Sequence, residues 1–185
     1  MSVCCSIDKD SVNPTKMITY LDLSKSIKYG GKVKLLVDTG ATHTIVSLSD
    51  IIIKSYSSKC KSDIVTEIES NFEFVSGKGI TSKVKYFLLR IPEVKIGETI
   101  YTNFVIGVVP AFTKYEHGLL GSSFVYSHDI HFNKNDTTLT LMNCDYTLYQ
   151  KYLMVSCKVY ELQDLANIVN KCSNGAGNKL RNPYR

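Results

Sequence analysis

Asp38-Thr39-Gly40-Ala41 is the stretch with the clearest capacity for chemistry. The apolar run Val33-Lys34-Leu35-Leu36-Val37 enters it, and Thr44-Ile45-Val46 leaves it. The pattern puts a carboxylate on a glycine turn at the end of a buried strand, and a carboxylate can serve as a general acid or base. No second Asp-Thr-Gly or Asp-Ser-Gly occurs in the 185 residues. If Asp38 is catalytic, one chain carries half an active site and the working unit is a dimer. The plain alternative is an aspartate that merely ends a strand.

Other reactive side chains lack company. Ser122-Ser123 and Cys144 are nucleophiles with no histidine and acid on a recognisable turn. His128 and His131 have no evident third or fourth ligand, so no metal site is expected. His43 reads as a surface-loop histidine, and His117 and Tyr115 as loop residues with little chemical role.

The elements that must position Asp38 are mostly strands. Ile18 to Leu21 and Val33 to Val37 flank a turn at Tyr29-Gly30-Gly31. Leu48 to Lys54 reads as a short helix capped by Ser47 or Ser49. Phe72 to Val75 alternates as a half-buried strand, Gly77-Lys78-Gly79 breaks it, and a long strand returns over Ile80 to Ile91. Val94 to Ile96 and Ile100 to Val109 form a hairpin around Gly97-Glu98. Leu119-Leu120-Gly121 precedes a short helix starting at Ser122, and Ile130 to Phe132 with Thr138 to Leu141 makes a last hairpin. Tyr146 to Val169 has apolar residues at helical spacing. The expected division is a flexible arm over 1–15, a β domain over 16–143, a helical extension over 144–172 and a loose basic tail over 173–185.

Composition narrows the partners. At 44% hydrophobic and 21% charged, the chain is that of a globular domain large enough for its own core. Its net charge of +5 comes from scattered lysines, with arginine only at Arg90, Arg181 and Arg185, so no nucleic-acid partner is expected. The longest apolar stretch, Phe104 to Phe112, falls far short of the roughly 20 residues that span a bilayer, and no membrane partner is expected. Six cysteines without Cys-x-x-Cys, and no secretory signal, point to the cytoplasm or another reducing compartment.

Three motifs in order carry a resemblance. Val37-Asp38-Thr39-Gly40-Ala41, Ser76 to Ile80 and Gly118-Leu119-Leu120-Gly121 together resemble the retropepsins, the single-domain aspartic proteases of retroviruses and retroelements, over about 17–142. The resemblance implies a closed β-barrel-type acid-protease half with a flap hairpin and one short helix, here with a C-terminal helical extension. It implies a homodimeric endopeptidase acting on a peptide or polyprotein without a cofactor. Asp38, Thr39 and Gly40 would be catalytic; Leu36, Ala41, Thr42, Ile45, Gly77, Lys78, Gly79, Ile80 and Leu119 would meet substrate. Apolar lining at Leu36, Ile45, Ile80 and Leu119 implies cleavage between mostly apolar residues. A catalytically silent fold serving as a peptide-binding or dimerisation module is the alternative. Many retroviral members carry an acidic residue where Thr42 stands and an arginine where Ser122 stands, so this dimer seam would be held differently.

Overall fold

The computed structural model of the protein describes residues 3–10, 16–78, 83–136, 138–153 and 157–174. Apolar residues spaced by two build its longest strands. In β6 (Lys83–Ile96), Phe87, Leu89 and Ile91 enter the main core, while Tyr86 and Leu88 join a smaller cluster on the opposite face. β7 (Thr99–Val109) returns antiparallel to β6, from Ile96↔Thr99 to Phe87↔Val108. The turn between them needs Gly97, whose φ of 60° is left-handed.

Six strands close on themselves. β2 (Met17–Asp22) pairs β3 (Lys32–Asp38), and β3 pairs β8 (Gly118–Gly121) in parallel. β8 pairs β4 (Ile45–Ser47), β4 pairs β7 in parallel, and β6 returns to β2 through Leu21↔Ile96 and Asp22↔Lys95. This is the closed, mainly β barrel expected from the sequence, and closure removes the open edges of these strands. Leu21, Leu35, Phe87, Phe104, Ile106, Leu120 and Phe124 fill its core, each at most 1% exposed. The expected short helix is α3 (Ser122–Val125), directly after β8.

Off the barrel, β1 (Val3–Lys9) lies between β2 and β10 (Thr138–Met142), and β9 (Asp129–Asn133) pairs β10 as the last strand of that row. The expected loose arm over 1–15 is thus corrected for Val3–Lys9. Cys5 and Ile7 are buried at alternate positions; Val3, Cys5, Ser6 and Ile7 pair β10, and Asp8 and Lys9 pair β2. Asp10 behind it is buried and bonded by Lys34 at 2.7 Å, which raises the lysine pKa.

The helices also differ from expectation. α1 (Leu48–Ile51) is shorter than 48–54; the Ser47 amide and hydroxyl both donate to the Asp50 carboxylate at 2.9 Å and start it. α2 (Ser58–Asn71) fills a stretch to which the sequence pattern assigned nothing, burying Cys60, Ile64 and Ile68. β5 (Val75–Lys78) pairs the start of β6 and begins later than the expected strand at Phe72. The expected strand over 80–91 instead starts at Lys83 among the described residues and continues to Ile96.

The C-terminal extension holds α4 (Tyr146–Tyr152), β11 (Val159–Glu161) and α5 (Leu162–Asn174). β11, an unexpected strand, runs parallel to β6. Tyr160 stacks on Phe72 with ring centroids 3.8 Å apart, and Tyr149, Leu165 and Val169 belong to the main core. The described part of the extension is therefore packed into the barrel's own core. Among the described residues no helix is long and apolar enough to cross a membrane.

Candidate active site

β3 delivers Asp38 to its own last position, half-buried, with Thr39 and Gly40 exposed on the turn that follows. The Gly40 amide donates to Asp38 Oδ1 at 2.9 Å and the Ala41 amide to the Asp38 carbonyl at 3.2 Å. These bonds fix where the carboxylate points. A Cβ on Gly40 would sit 3.1 Å from that same oxygen, so a side chain there would disturb the bond.

The turn is braced from behind by β8 and α3. In the parallel ladder Leu36 faces Leu119 and Asp38 faces Gly121. The Ser122 amide donates to the Ala41 carbonyl at 2.7 Å and the Ser123 amide to the Thr42 carbonyl at 3.1 Å. Two helix-start amides, which no helical carbonyl can satisfy, are thereby spent on holding the turn. A Cβ on Gly121 would lie 2.3 Å from the His43 carbonyl carbon, so only glycine permits this approach.

The residues expected to line substrate fall into separate groups. Leu36, Leu119 and Ile45 occupy one row across β3, β8 and β4, because Leu119 pairs with both neighbours. All three are half-buried. Ala41 is half-buried and Thr42 exposed on the Asp38 turn itself. Gly77 and Lys78 lie on the separate β5–β6 ribbon, paired with Val84 and Lys83. Gly79 and Ile80 lie outside the described residues.

His43 corrects its expected place on the surface, being 1% exposed. Residues 42–44 are clamped against Gly121 and α3, which drives the ring inward. Its Nδ1 lies 2.9 Å from the Tyr86 hydroxyl, while Nε2 has no hydrogen-bond partner among the described residues. Burial holds its pKa below the ordinary 6.5, and burial raises that of Tyr86. Tyr86 faces Val75 across the β5–β6 ribbon, and its ring packs so closely on Gly107 that a Cβ there would approach it to 2.6 Å. The pair thus joins the Asp38 turn to the base of that ribbon. Its sequence signal was slight: Tyr86 is one apolar position in a run of them.

His128 is likewise buried and His131 exposed. Among the described residues no His, Cys, Asp and Glu group has metal-binding geometry. Cys5, Cys60, Cys144, Cys157 and Cys172 form no disulfide.

A search of curated proteins finds no match. Among solved structures, the chain is similar to a retropepsin-like aspartic protease from Rickettsia conorii. The two share 17% identity over 74% of this chain and 86% of that one, with a TM-score of 0.44. The family described as aspartyl protease matches residues 26–124, more than half the chain and the part that holds the Asp38 turn, β8 and the start of α3, and the chain belongs to that family.

Proposed function

We propose that the protein is a homodimeric aspartic endopeptidase, in which two identical chains each supply Asp38 to one cleft. The observation that carries this reading is the single Asp38 carboxylate, oriented by the Gly40 amide on a turn pinned to β8 and α3. Two carboxylates a few ångströms apart cannot both ionise, so the pair holds one proton; aspartic proteases are the standing example. The ionised member takes a proton from water as it attacks the peptide carbonyl. The protonated member donates to the carbonyl oxygen as the carbon becomes tetrahedral. No cofactor enters the reaction.

Other residues take supporting roles. Thr39 hydrogen-bonds across the two-fold, and Gly40 leaves room for the substrate backbone. Leu36, Ile45 and Leu119, with Ala41 and Thr42 beside them, receive the substrate's side chains, which favours cleavage between apolar residues. The β5–β6 ribbon, with Gly77 and Lys78, closes over the peptide and sheds water. The substrate is a peptide or polyprotein in a reducing compartment, and the rate rises below neutral pH because the pair must keep its proton.

Asp38→Asn tests the chemistry. Digestion of a mixed peptide library at mildly acid pH should fall by a factor of at least about 10²–10⁴ in the variant, with its circular dichroism unchanged. Equal cleavage by both proteins would refute the role of Asp38. Peptide capture without cleavage by the wild type would leave a binding module instead.

A further inference from the structure

On the face of β6 turned away from the main core, Tyr86, Leu88 and Val105 form a smaller apolar cluster. Ile45 and Val75 pack against it, and so do Leu153, Cys157 and Val159 of the C-terminal extension. One polar pair sits in this apolar setting. The Tyr86 hydroxyl and His43 Nδ1 lie 2.9 Å apart, with Tyr86 3% and His43 1% exposed. As packing the pair is a poor choice, because His43 Nε2 has no hydrogen-bond partner among the described residues. A buried polar atom left without a partner destabilises a fold. Replacing both members of a buried pair by apolar groups of similar shape is close to neutral or stabilising. Stability therefore does not account for a histidine and a tyrosine here.

Their positions do. His43 belongs to the segment that leaves the Asp38 turn, and its neighbours are pinned on both sides. The Thr42 carbonyl accepts the Ser123 amide at 3.1 Å, and the Thr44 carbonyl accepts the Gly107 amide at 2.7 Å. Tyr86 faces Val75 at the base of the β5–β6 ribbon, next to Ser76↔Lys85 and Gly77↔Val84. Its ring fills the space where a Cβ on Gly107 would stand, at 2.6 Å, so its hydroxyl is aimed by packing. The hydrogen bond thus runs directly from the segment behind the carboxylate to the strand that carries the ribbon.

We propose that His43 and Tyr86 are positioning residues for the cleavage: their hydrogen bond holds the β5–β6 ribbon in register with the Asp38 turn, so that a peptide under the ribbon presents its carbonyl to that carboxylate. The proposal rests on the protease reading above. Both side chains are buried, so they act through the segments they join rather than on the substrate. The C-terminal extension shares in this mounting, because Leu153, Cys157 and Val159 pack on the cluster that seats Tyr86.

The paired variant His43→Leu, Tyr86→Phe separates positioning from packing. Its urea midpoint should equal or exceed that of wild type. Its kcat on a library peptide that wild type cleaves should fall by about ten-fold or more, with KM within about two-fold. Tyr86→Phe alone leaves the ring on Gly107 and should lose kcat to the same extent, since either change removes the one bond. Hydrogen exchange read by mass spectrometry reports the coupling without needing activity. Segments covering 39–45 and 74–78 should exchange faster together in both variants, with β1 and β10 unchanged. Wild-type kcat in both variants, or faster exchange in only one of the two segments, would overturn the proposal. A raised KM with kcat unchanged would make the pair part of a binding subsite and overturn it too. If the two segments loosen together while Asp38→Asn cleaves as wild type, the protease reading fails alone. If cleavage depends on Asp38 and both variants keep their kcat, the positioning role fails alone.

Discussion

His43 and His128 are both buried, and burial disfavours the protonated ring. His128 donates from Nδ1 to the Phe124 carbonyl at 2.8 Å, and its Nε2 lies 3.1 Å from the Tyr101 hydroxyl. His43 Nε2 has no hydrogen-bond partner among the described residues. Burial lowers both pKa values from 6.5, outweighing at His128 the raising effects of the Phe124 carbonyl and Asp129. The unfolded chain therefore binds protons first as pH falls. The contribution of the neutral rings to stability is whole above pH 6.5 and is lost from there down through the folded pKa values. Urea denaturation at stepped pH should show the midpoint falling as pH drops below about 6.5, and replacing His43 by Gln should flatten that slope. The proposed chemistry favours acid while these rings oppose it, so activity should pass through an optimum rather than rise steadily. The sequence displayed Asp38 by its motif but not His43, because the burial of His43 comes from Gly121, far along the chain.

At the scale of elements, two contacts carry the most consequence. Gly121 brings β8 against the backbone of His43, and Gly121→Ala forces a Cβ into the carbonyl carbon at 2.3 Å. The expected cost is about 1–3 kcal/mol by urea denaturation, typical of overpacking. Because Ser122 and Ser123 hold the turn, kcat should fall further, by about 10²-fold for a shift near 1 Å. Tyr160 of β11 is the second contact. Besides stacking on Phe72, its hydroxyl accepts the Glu73 amide at 2.8 Å, just before β5. Tyr160→Ala should cost about 3 kcal/mol in the same assay, as large aromatic truncations do. The elements differed in legibility for physical reasons. The barrel strands showed dense apolar runs, whereas α2 buries only Cys60, Ile64 and Ile68 among Ser, Thr, Asp and Glu. β11 is three residues long and is made a strand by β6 rather than by its own pattern.

At the scale of the whole molecule, the proposed mechanism makes activity a property of the pair. Specific activity per chain should fall steeply once the protein is diluted below its dimer dissociation constant, and thermal stability should fall with it if the seam contributes to the fold. Analytical ultracentrifugation beside a peptide-cleavage assay over the same dilution series checks this. A monomer that cleaves at full rate would contradict it. The barrel, its short helix and the Asp38 turn were legible because each has a local signature. β9 is legible as half of a hairpin, but its place at the end of a row emerges only with β1 beside β10. Nothing in Val3–Lys9 alone names β10 as its neighbour.

That placement of β1 also sets an order in time. Val3 lies against Met142 and Ile7 against Leu139, so β1 cannot complete its pairing until β10 is present. Pairings this distant in sequence close slowly, and they come after the hairpins that need only nearby chain. The barrel therefore gains its flanking sheet only after the Asp38 turn, the β5–β6 ribbon and α3 are in the chain. The flanking sheet is therefore a late step of folding rather than its nucleus.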